Sequence, residues 1–322
     1  MIAPAELRRL RASLLRWYDR HQRKLPWRGI SDPYRTWVSE IMLQQTRVAA
    51  VLEHYGRFLR RFPDVERLAR ARESSVLAAW SGLGYYRRAR MLHQAARVIV
   101  RERGGTLPTT SAEWRQLPGI GRYTAAAIAS IGSGEPVAVV DGNVERVVGR
   151  LFGDGRKGAP QVWAAAERLL DRRRPGDFNQ AMMELGATVC LPGQPQCGEC
   201  PIARWCRSKA GVGQPARLSG EATETRRKRD ISYALHTHDG RVRLRQRPAS
   251  ETLMPGMWEL PPARLNGLPP AAVLRHSITI TDYRVHVLRT SSRDGEWVPV
   301  TRLRRLPLTG LTRKILRHFQ II

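Results

Sequence analysis

Cysteine is confined to one short stretch of this chain. Cys190, Cys197, Cys200 and Cys206 stand in the spacing C-x6-C-x2-C-x5-C, and no other cysteine occurs among the 322 residues. Pro192, Gly193, Pro195, Gly198 and Pro201 bend the backbone between them. Such a segment can wrap four thiolates around one metal centre, and both zinc and a [4Fe–4S] cluster accept four thiolates. Zinc sites more often show two C-x2-C knuckles. The single knuckle here, with unequal loops and the Cys200-Pro201 step, leans towards iron–sulfur. Pairing into two disulfides would close very short loops in a chain with no sign of secretion.

Charge is the second constraint. There are 55 Lys and Arg against 28 Asp and Glu, a formal net charge of +27. Solubility does not need so large an excess, and a field of this sign attracts polyanions, so nucleic acid is the expected partner. Lysine is scarce among these cations: Lys24, Lys157, Lys209, Lys228 and Lys314 are all there are. The N-terminal residues have charges and no long apolar run, and no stretch approaches a transmembrane span. The expectation is a cytoplasmic protein, nucleoid-associated when bound to DNA, acting as a monomer away from membranes.

From residue 5 to about 206 the apolar pattern is helical. Leu7, Leu10, Leu14, Leu15 and Trp17 mark one helix. Trp37, Ile41, Val48, Val51, Leu52, Tyr55 and Phe58 mark one long helical stretch ending at Phe62-Pro63. Further helices are predicted near 73–81, 87–103, 124–131, 143–151, 162–170 and 178–189, with breaks at Gly and Pro. Residues 208–230 read as a linker, rich in Gly and Pro and closing on the basic run 226–229. After it the period changes to strand-like alternation, with a hairpin signal at Asp239-Gly240, more alternation over 277–288 and a closing helix near 312–319. The expected fold class is a mostly α N-terminal domain (1–207) holding the metal centre, the linker, and a smaller α+β domain (231–322).

Four segments carry chemistry. Leu117-Pro-Gly-Ile-Gly-Arg-Tyr-Thr opens a helix with Gly119 and Gly121 placed for backbone N–H groups to approach a phosphate, the grip of a helix–hairpin–helix; a plain turn is the bland alternative. Asp141 follows the apolar run 137–140 and precedes a helix. It is either a helix N-cap or a carboxylate held against developing positive charge. Glu40 lies in a mostly apolar helical run, either on an exposed face or as a partly buried acid of raised pKa, fit to protonate a leaving group. Gln44, Gln45 and Thr46 follow it, polar side chains where a helix could meet a duplex. Tyr85 and Tyr86 sit beside Arg87 and Arg88, suited to stacking on bases or to a core.

Taken together these segments resemble the helix–hairpin–helix DNA glycosylases, and within them the adenine-removing MutY branch. The resemblance spans nearly the whole chain. It is carried by Pro26-Trp27-Arg28, by residues 39–46 and 82–89, by the hairpin, by Val140-Asp-Gly-Asn-Val144, by residues 178–186 and by the cysteines. It implies a base-flipping hydrolase that removes adenine opposite 8-oxoguanine or guanine in double-stranded DNA, with the cysteines holding a [4Fe–4S] cluster. Breaking an N-glycosidic bond calls for one acid and one carboxylate, as in glycoside hydrolysis. By resemblance Glu40 protonates adenine N7, Asp141 stabilises the sugar cation, and Tyr123 and Asn143 orient them. Arg28, Leu43 and Gln180 match positions lining the adenine pocket, and Gln45 and Tyr85 match residues that fill or wedge the base stack.

Endonuclease III-like members of the same superfamily add strand cleavage through a Schiff-base lysine. That lysine would fall where this chain has Tyr123, and no lysine lies between Lys24 and Lys157. Hydrolysis without efficient strand cleavage is therefore expected. Residues 243–248 and 253–261 resemble the Nudix-like C-terminal domain of the family. The acidic metal-binding helix of Nudix hydrolases is missing, so lesion reading and not pyrophosphatase activity is expected there. The family's lesion loop usually reads Phe-Ser-His; here the match is His276-Ser277-Ile278, in which only Ser277 aligns. A rival from another class is a non-catalytic iron–sulfur protein that binds DNA or senses redox state. The presence of both Glu40 and Asp141 argues against it.

Overall fold

The leucines spaced at helical intervals near the N-terminus do form a helix, and Leu10, Leu14, Leu15 and Tyr18 are its buried stripe. A computed structural model describes residues 2–153, 160–209, 226–278 and 280–322. In chain order the helices are α1 (Pro4–His21), α2 (Pro33–Leu43), α3 (Val48–Arg61), α4 (Val65–Arg70), α5 (Glu73–Trp80) and α6 (Tyr86–Arg103). There follow α7 (Ser111–Trp114), α8 (Arg122–Ala127), α9 (Gly142–Phe152), α10 (Pro160–Leu169), α11 (Pro175–Thr188) and, near the C-terminus, α12 (Gly310–His318). The strands are β1 (Arg227–Ala234), β2 (Thr237–His238), β3 (Arg241–Gln246), β4 (Trp258–Glu259), β5 (Ala272–Ile278), β6 (Thr281–Leu288) and β7 (Glu296–Pro299).

The chain divides into two compact units, Met1–Gln44 with Val98–Gly220, and Gln45–Arg97 with Glu221–Ile322. Residues 45–97, read from sequence with the N-terminal domain, thus group with the C-terminal segment. The one long helix read over residues 37–58 is two helices. Gln45 adopts φ +52 between α2 and α3, which no α-helix accommodates. The basic run 226–229, read as linker, is mostly strand, since Arg227, Lys228 and Arg229 pair with Thr281, Asp282 and Tyr283. Residues 210–225 of that linker lie outside the described residues.

In the first unit, close helix approach is set by small residues. A Cβ on Gly132 would lie 2.6 Å from the Pro33 Cα, and one on Gly186 would lie 2.6 Å from the Asn143 Cβ. Gly132 ends a π-helical turn (Ile128–Gly132) that continues α8. These contacts fix the start of α2 against the hairpin helix, and α11 against the start of α9. The helix predicted at 124–131 is therefore α8 plus this turn. Val137–Val140, ahead of α9, pairs with no strand among the described residues. Its backbone is satisfied instead by buried Asn179, which accepts from Val139 N (3.1 Å) and donates to Val137 O (2.9 Å), and by Glu167, which accepts from Ala138 N (2.8 Å).

In the second unit, β1 and β6 run parallel, with β5 antiparallel on the other side of β6. A second sheet centres on β3, which pairs with β2, β4 and β7. Asp239 and Gly240 both have positive φ, +44 and +66, as a tight hairpin turn of this type requires. Val242, Leu244, Val285, Val287 and Val298 meet α12 residues Leu311, Ile315 and Leu316 in one core. The alternation read over 277–288 is the end of β5 and all of β6. Among the described residues no helix is long and apolar enough to cross a membrane.

Candidate active site

Glu40 is on the inner face of α2, whose N-terminus is fixed by Asp32 accepting from Arg35 N and by Pro33 in the first turn. Its side chain is buried, at 6% exposure, so the exposed-face alternative falls. Tyr123, in the first turn of α8, donates its hydroxyl to Glu40 Oε2 at 2.8 Å. Burial pushes the Glu40 carboxyl up to about 7; the Tyr123 bond opposes that rise and the charge of Asp141 adds to it. Burial and the neighbouring carboxylates hold the Tyr123 phenol well above its ordinary range. A carboxyl so placed can hold a proton near neutrality and release it.

Of the two readings of Asp141, the structure shows the helix cap. Asp141 is the N-cap of α9, with Oδ1 accepting from Val144 N at 2.8 Å. Its Oδ2 accepts from Asn143 Nδ2 at 2.9 Å, and its charge reaches Glu40 and Tyr123. Asn143 Oδ1 in turn accepts from Arg146 Nη2 at 2.8 Å, and Arg146 also donates to Gly186 O and Cys190 O. The bond from Arg146 fixes which way the Asn143 amide faces. Sequence reasoning missed Arg146; its place one helical turn after Asn143 was the available signal.

Arg28 is tied by a 2.6 Å ion pair to Glu184 Oε2, and Arg23 grips the same carboxylate through Nε (2.8 Å) and Nη2 (2.7 Å). Burial alone would raise the Glu184 carboxyl, but the bonds from Arg23 and Arg28 outweigh it and hold it down at about 2. Glu184 also escaped sequence reasoning, although it lies within the segment 178–186, one turn from Gln180. Trp27 and Gln180 are buried, Leu43 is half-buried at the end of α2, and Gln44 donates to Thr124 Oγ1 at 3.1 Å. Gly119, with φ +75, and Gly121, the N-cap of α8, form the exposed hairpin turn.

The first unit therefore brings together Glu40, Tyr123, Asp141 and Asn143. Gln45, Thr46, Tyr85 and Ser277 belong to the second unit. There Gln45 is exposed, and Tyr85 is 48% exposed with φ +48. Arg88 lies over the Tyr85 ring at 5.2 Å and donates to Thr46 Oγ1 at 2.9 Å. Tyr86 is buried, so of the two tyrosines only Tyr85 presents a ring. Ser277 lies in β5 and faces outward, while His276 and Ile278 share the half-buried face. Its hydroxyl donates to Asp282 Oδ1 at 2.6 Å across the hairpin.

All four cysteines are free and line one cavity, with Val147, Leu151, Leu185, Val189 and Ile202 as its apolar wall. Arg150 donates to Cys190 Sγ at 3.3 Å, and Cys206 Sγ lies 3.4 Å from the Arg150 carbonyl. Burial pushes the Cys200 thiol up to about 11, and the other three cysteines add to the rise. A cationic centre between the four sulfurs would oppose that rise. Among the described residues no group of three or more His, Cys, Asp or Glu is arranged to hold a single metal ion.

Residues 38–172 match the model of the HhH-GPD superfamily base excision DNA repair proteins. The chain is 46% identical over 229 residues to the adenine DNA glycosylase of Homo sapiens, covering 67% of this chain and 42% of that protein. It is 37% identical over 330 residues to the adenine DNA glycosylase of Arabidopsis thaliana, covering 88% of this chain and 52% of that protein. Over residues 38–172 the chain is similar to the HhH-GPD superfamily. It spans about half the length of these curated relatives. A solved structure of a thermostable thymine-DNA glycosylase is similar over 63% of this chain and 96% of its own, with a TM-score of 0.59 and 29% identity. Within the superfamily segment lie Glu40, the hairpin, Tyr123, Asp141 and Asn143; Gln180, Glu184 and the four cysteines follow it.

Proposed function

We propose that this chain is a monofunctional DNA glycosylase that extrudes adenine paired with 8-oxoguanine or guanine and removes it by hydrolysis. The observation that carries the reading is the pair of Glu40, held at about 7 by burial and touched by Tyr123, and Asp141, fixed as a helix cap. Adenine is a poor leaving group as an anion. Glu40 supplies the proton to its N7, and Asp141 faces the positive charge that builds on the sugar as the bond stretches. Asn143, aimed by Arg146, holds the second oxygen of Asp141. Tyr123 orients Glu40 and provides no amine. The base chemistry then ends in an abasic site and an intact strand.

The free thiols of Cys190, Cys197, Cys200 and Cys206, gathered round one cavity in a part-apolar shell, fit a [4Fe–4S] cluster. Bound there, it would join the segment 190–206 to α9 through Arg150 and contribute folding energy. The basic surface supplies attraction to the duplex, and the hairpin at Gly119–Gly121 grips phosphate without reading sequence. In the C-terminal, Nudix-like lobe Ser277 gives its proton to Asp282 and so offers an acceptor. That suits the N7–H donor of 8-oxoguanine, which guanine lacks.

Single-turnover incubation with A:8-oxoguanine, A:G and T:G duplexes, followed by alkali, tests the reading. Alkali-dependent breaks at adenine are expected. Release of thymine and none of adenine would move the assignment to a thymine glycosylase; release of neither, with duplex binding intact, would favour the non-catalytic rival.

A further inference from the structure

The turn that presents Tyr85 is held from its flank. Residues 81–85 join α5 to α6, and Gly82, Gly84 and Tyr85 have φ values of +115, +72 and +48. Tyrosine tolerates such a backbone only where its surroundings over-determine it. The first residue of the turn and the residue that follows it are bonded to the C-terminal segment of the same unit. Ser81 Oγ donates to the Leu308 carbonyl at 2.7 Å, and the Tyr86 hydroxyl donates to the same oxygen at 3.1 Å. Arg313 Nε donates to Ser81 Oγ at 3.1 Å. One carbonyl thus accepts from the first residue of the turn and from the first residue of α6, using both lone pairs. Ser81, Tyr86 and Leu308 are all buried. Leu308 is itself fixed, because Trp258 N donates to Pro307 O and Thr309 N donates to Trp258 O, both at 2.9 Å. Inside the turn, Trp80 Nε1 donates to Gly84 O at 3.1 Å.

We propose that Ser81 and Arg313 are positioning residues for Tyr85: through the Leu308 carbonyl they make the lobe that carries Ser277 the template for the turn that opens the base stack. The inference rests on the reading of Tyr85 as a wedge in duplex DNA. Its physical content is that one rigid anchor sets both the residue facing the opposite base and the residue that enters the stack. Neither needs to find the other after binding.

Hydrogen exchange on the DNA-free full chain reads the anchor, and a double-mutant cycle reads its use. Ser81→Ala and, separately, Arg313→Gln should speed exchange at amides 82–86 about five- to tenfold, the effect of losing one buried hydrogen bond. Exchange in α11 should not change. With a mismatched duplex carrying 2-aminopurine beside the target adenine, each variant should lower the extrusion equilibrium by a similar factor. That loss should vanish when Tyr85→Leu is already present. Unchanged exchange at 82–86, or an equal loss with and without Tyr85→Leu, overturns the proposal. If the wild-type chain releases no adenine from any mismatch, it is the functional reading that fails. Exchange, and the same cycle read on duplex affinity, then still decide the anchor.

Discussion

Tyr123→Phe should change the shape of the pH profile as well as its height. The Glu40 carboxyl stands at about 7 because burial outweighs the Tyr123 hydroxyl, whose bond favours the ionised form. A hydrogen bond to a charged group contributes on the order of 1.5–3 kcal/mol, and one pKa step corresponds to about 1.4 kcal/mol. Removing the hydroxyl should therefore lift Glu40 by roughly one to two units. At pH 8 the protonated share should rise from about a tenth to about half or more. The same change frees the carboxyl to rotate, which should cost on the order of tenfold in rate wherever both enzymes are protonated. The expected result is a single-turnover adenine release about tenfold below wild type at pH 6 and only about twofold below it at pH 8, with the alkaline limb displaced upward. An alkaline limb that stays in place, or moves to lower pH, would refute the claim that Glu40 is the acid and Tyr123 its partner.

Glu40→Gln should abolish release while keeping duplex binding. Because the folded pKa is raised from 4.5 to about 7, wild type loses stability as pH rises through that window; the variant should gain up to about 3 kcal/mol over it at pH 8 and nothing at pH 4, read by denaturant melts. Gly186→Ala should cost about 1–3 kcal/mol and lower release, since its Cβ would press on Asn143 Cβ and carbonyl; an unchanged Tm would show that α9 and α11 can separate freely. Purified protein should carry iron with broad absorption near about 400 nm, and Cys200→Ser should lose iron and melt at lower temperature; zinc without iron on elemental analysis would rule the cluster out. The advantage of 8-oxoguanine over guanine opposite adenine should be smaller than in Phe-Ser-His relatives, because Ile278 has no donor or acceptor and a lost base contact costs about 1–3 kcal/mol; equal ratios in side-by-side single-turnover assays would show that another residue reads the lesion.

What the sequence made legible was local. Glu40 in an apolar run, Asp141 before a helix and the cysteine spacing all rest on neighbours within a few residues; Glu40 is buried, Asp141 caps α9 and the cysteines line one cavity. The buried clamp on Glu184 was not legible, because its partners Arg23 and Arg28 are far off in the chain and nothing in a run of nine residues marks one glutamate as paired. The split between α2 and α3 was missed for a different reason. Ile41 and Val48 stand seven residues apart, a spacing that one helix would keep across the polar residues 44–47, and only the backbone of Gln45 shows that the helix stops. Grouping of residues 45–97 with the C-terminal segment depends on contacts such as Ser81 to Leu308, again invisible to periodicity.

That Asp141 caps α9 has an evolutionary consequence. Asparagine caps a helix about as well as aspartate does, so a single-base change in the gene could keep the fold, the hairpin and the affinity for damaged duplex while silencing the chemistry. Most inactivating substitutions in an enzyme core are purged together with the protein they unfold. With the function proposed above, this one would leave a folded competitor that occupies lesions without clearing them, a dominant liability in the cell that makes it and a ready starting point for a protein that only marks damage.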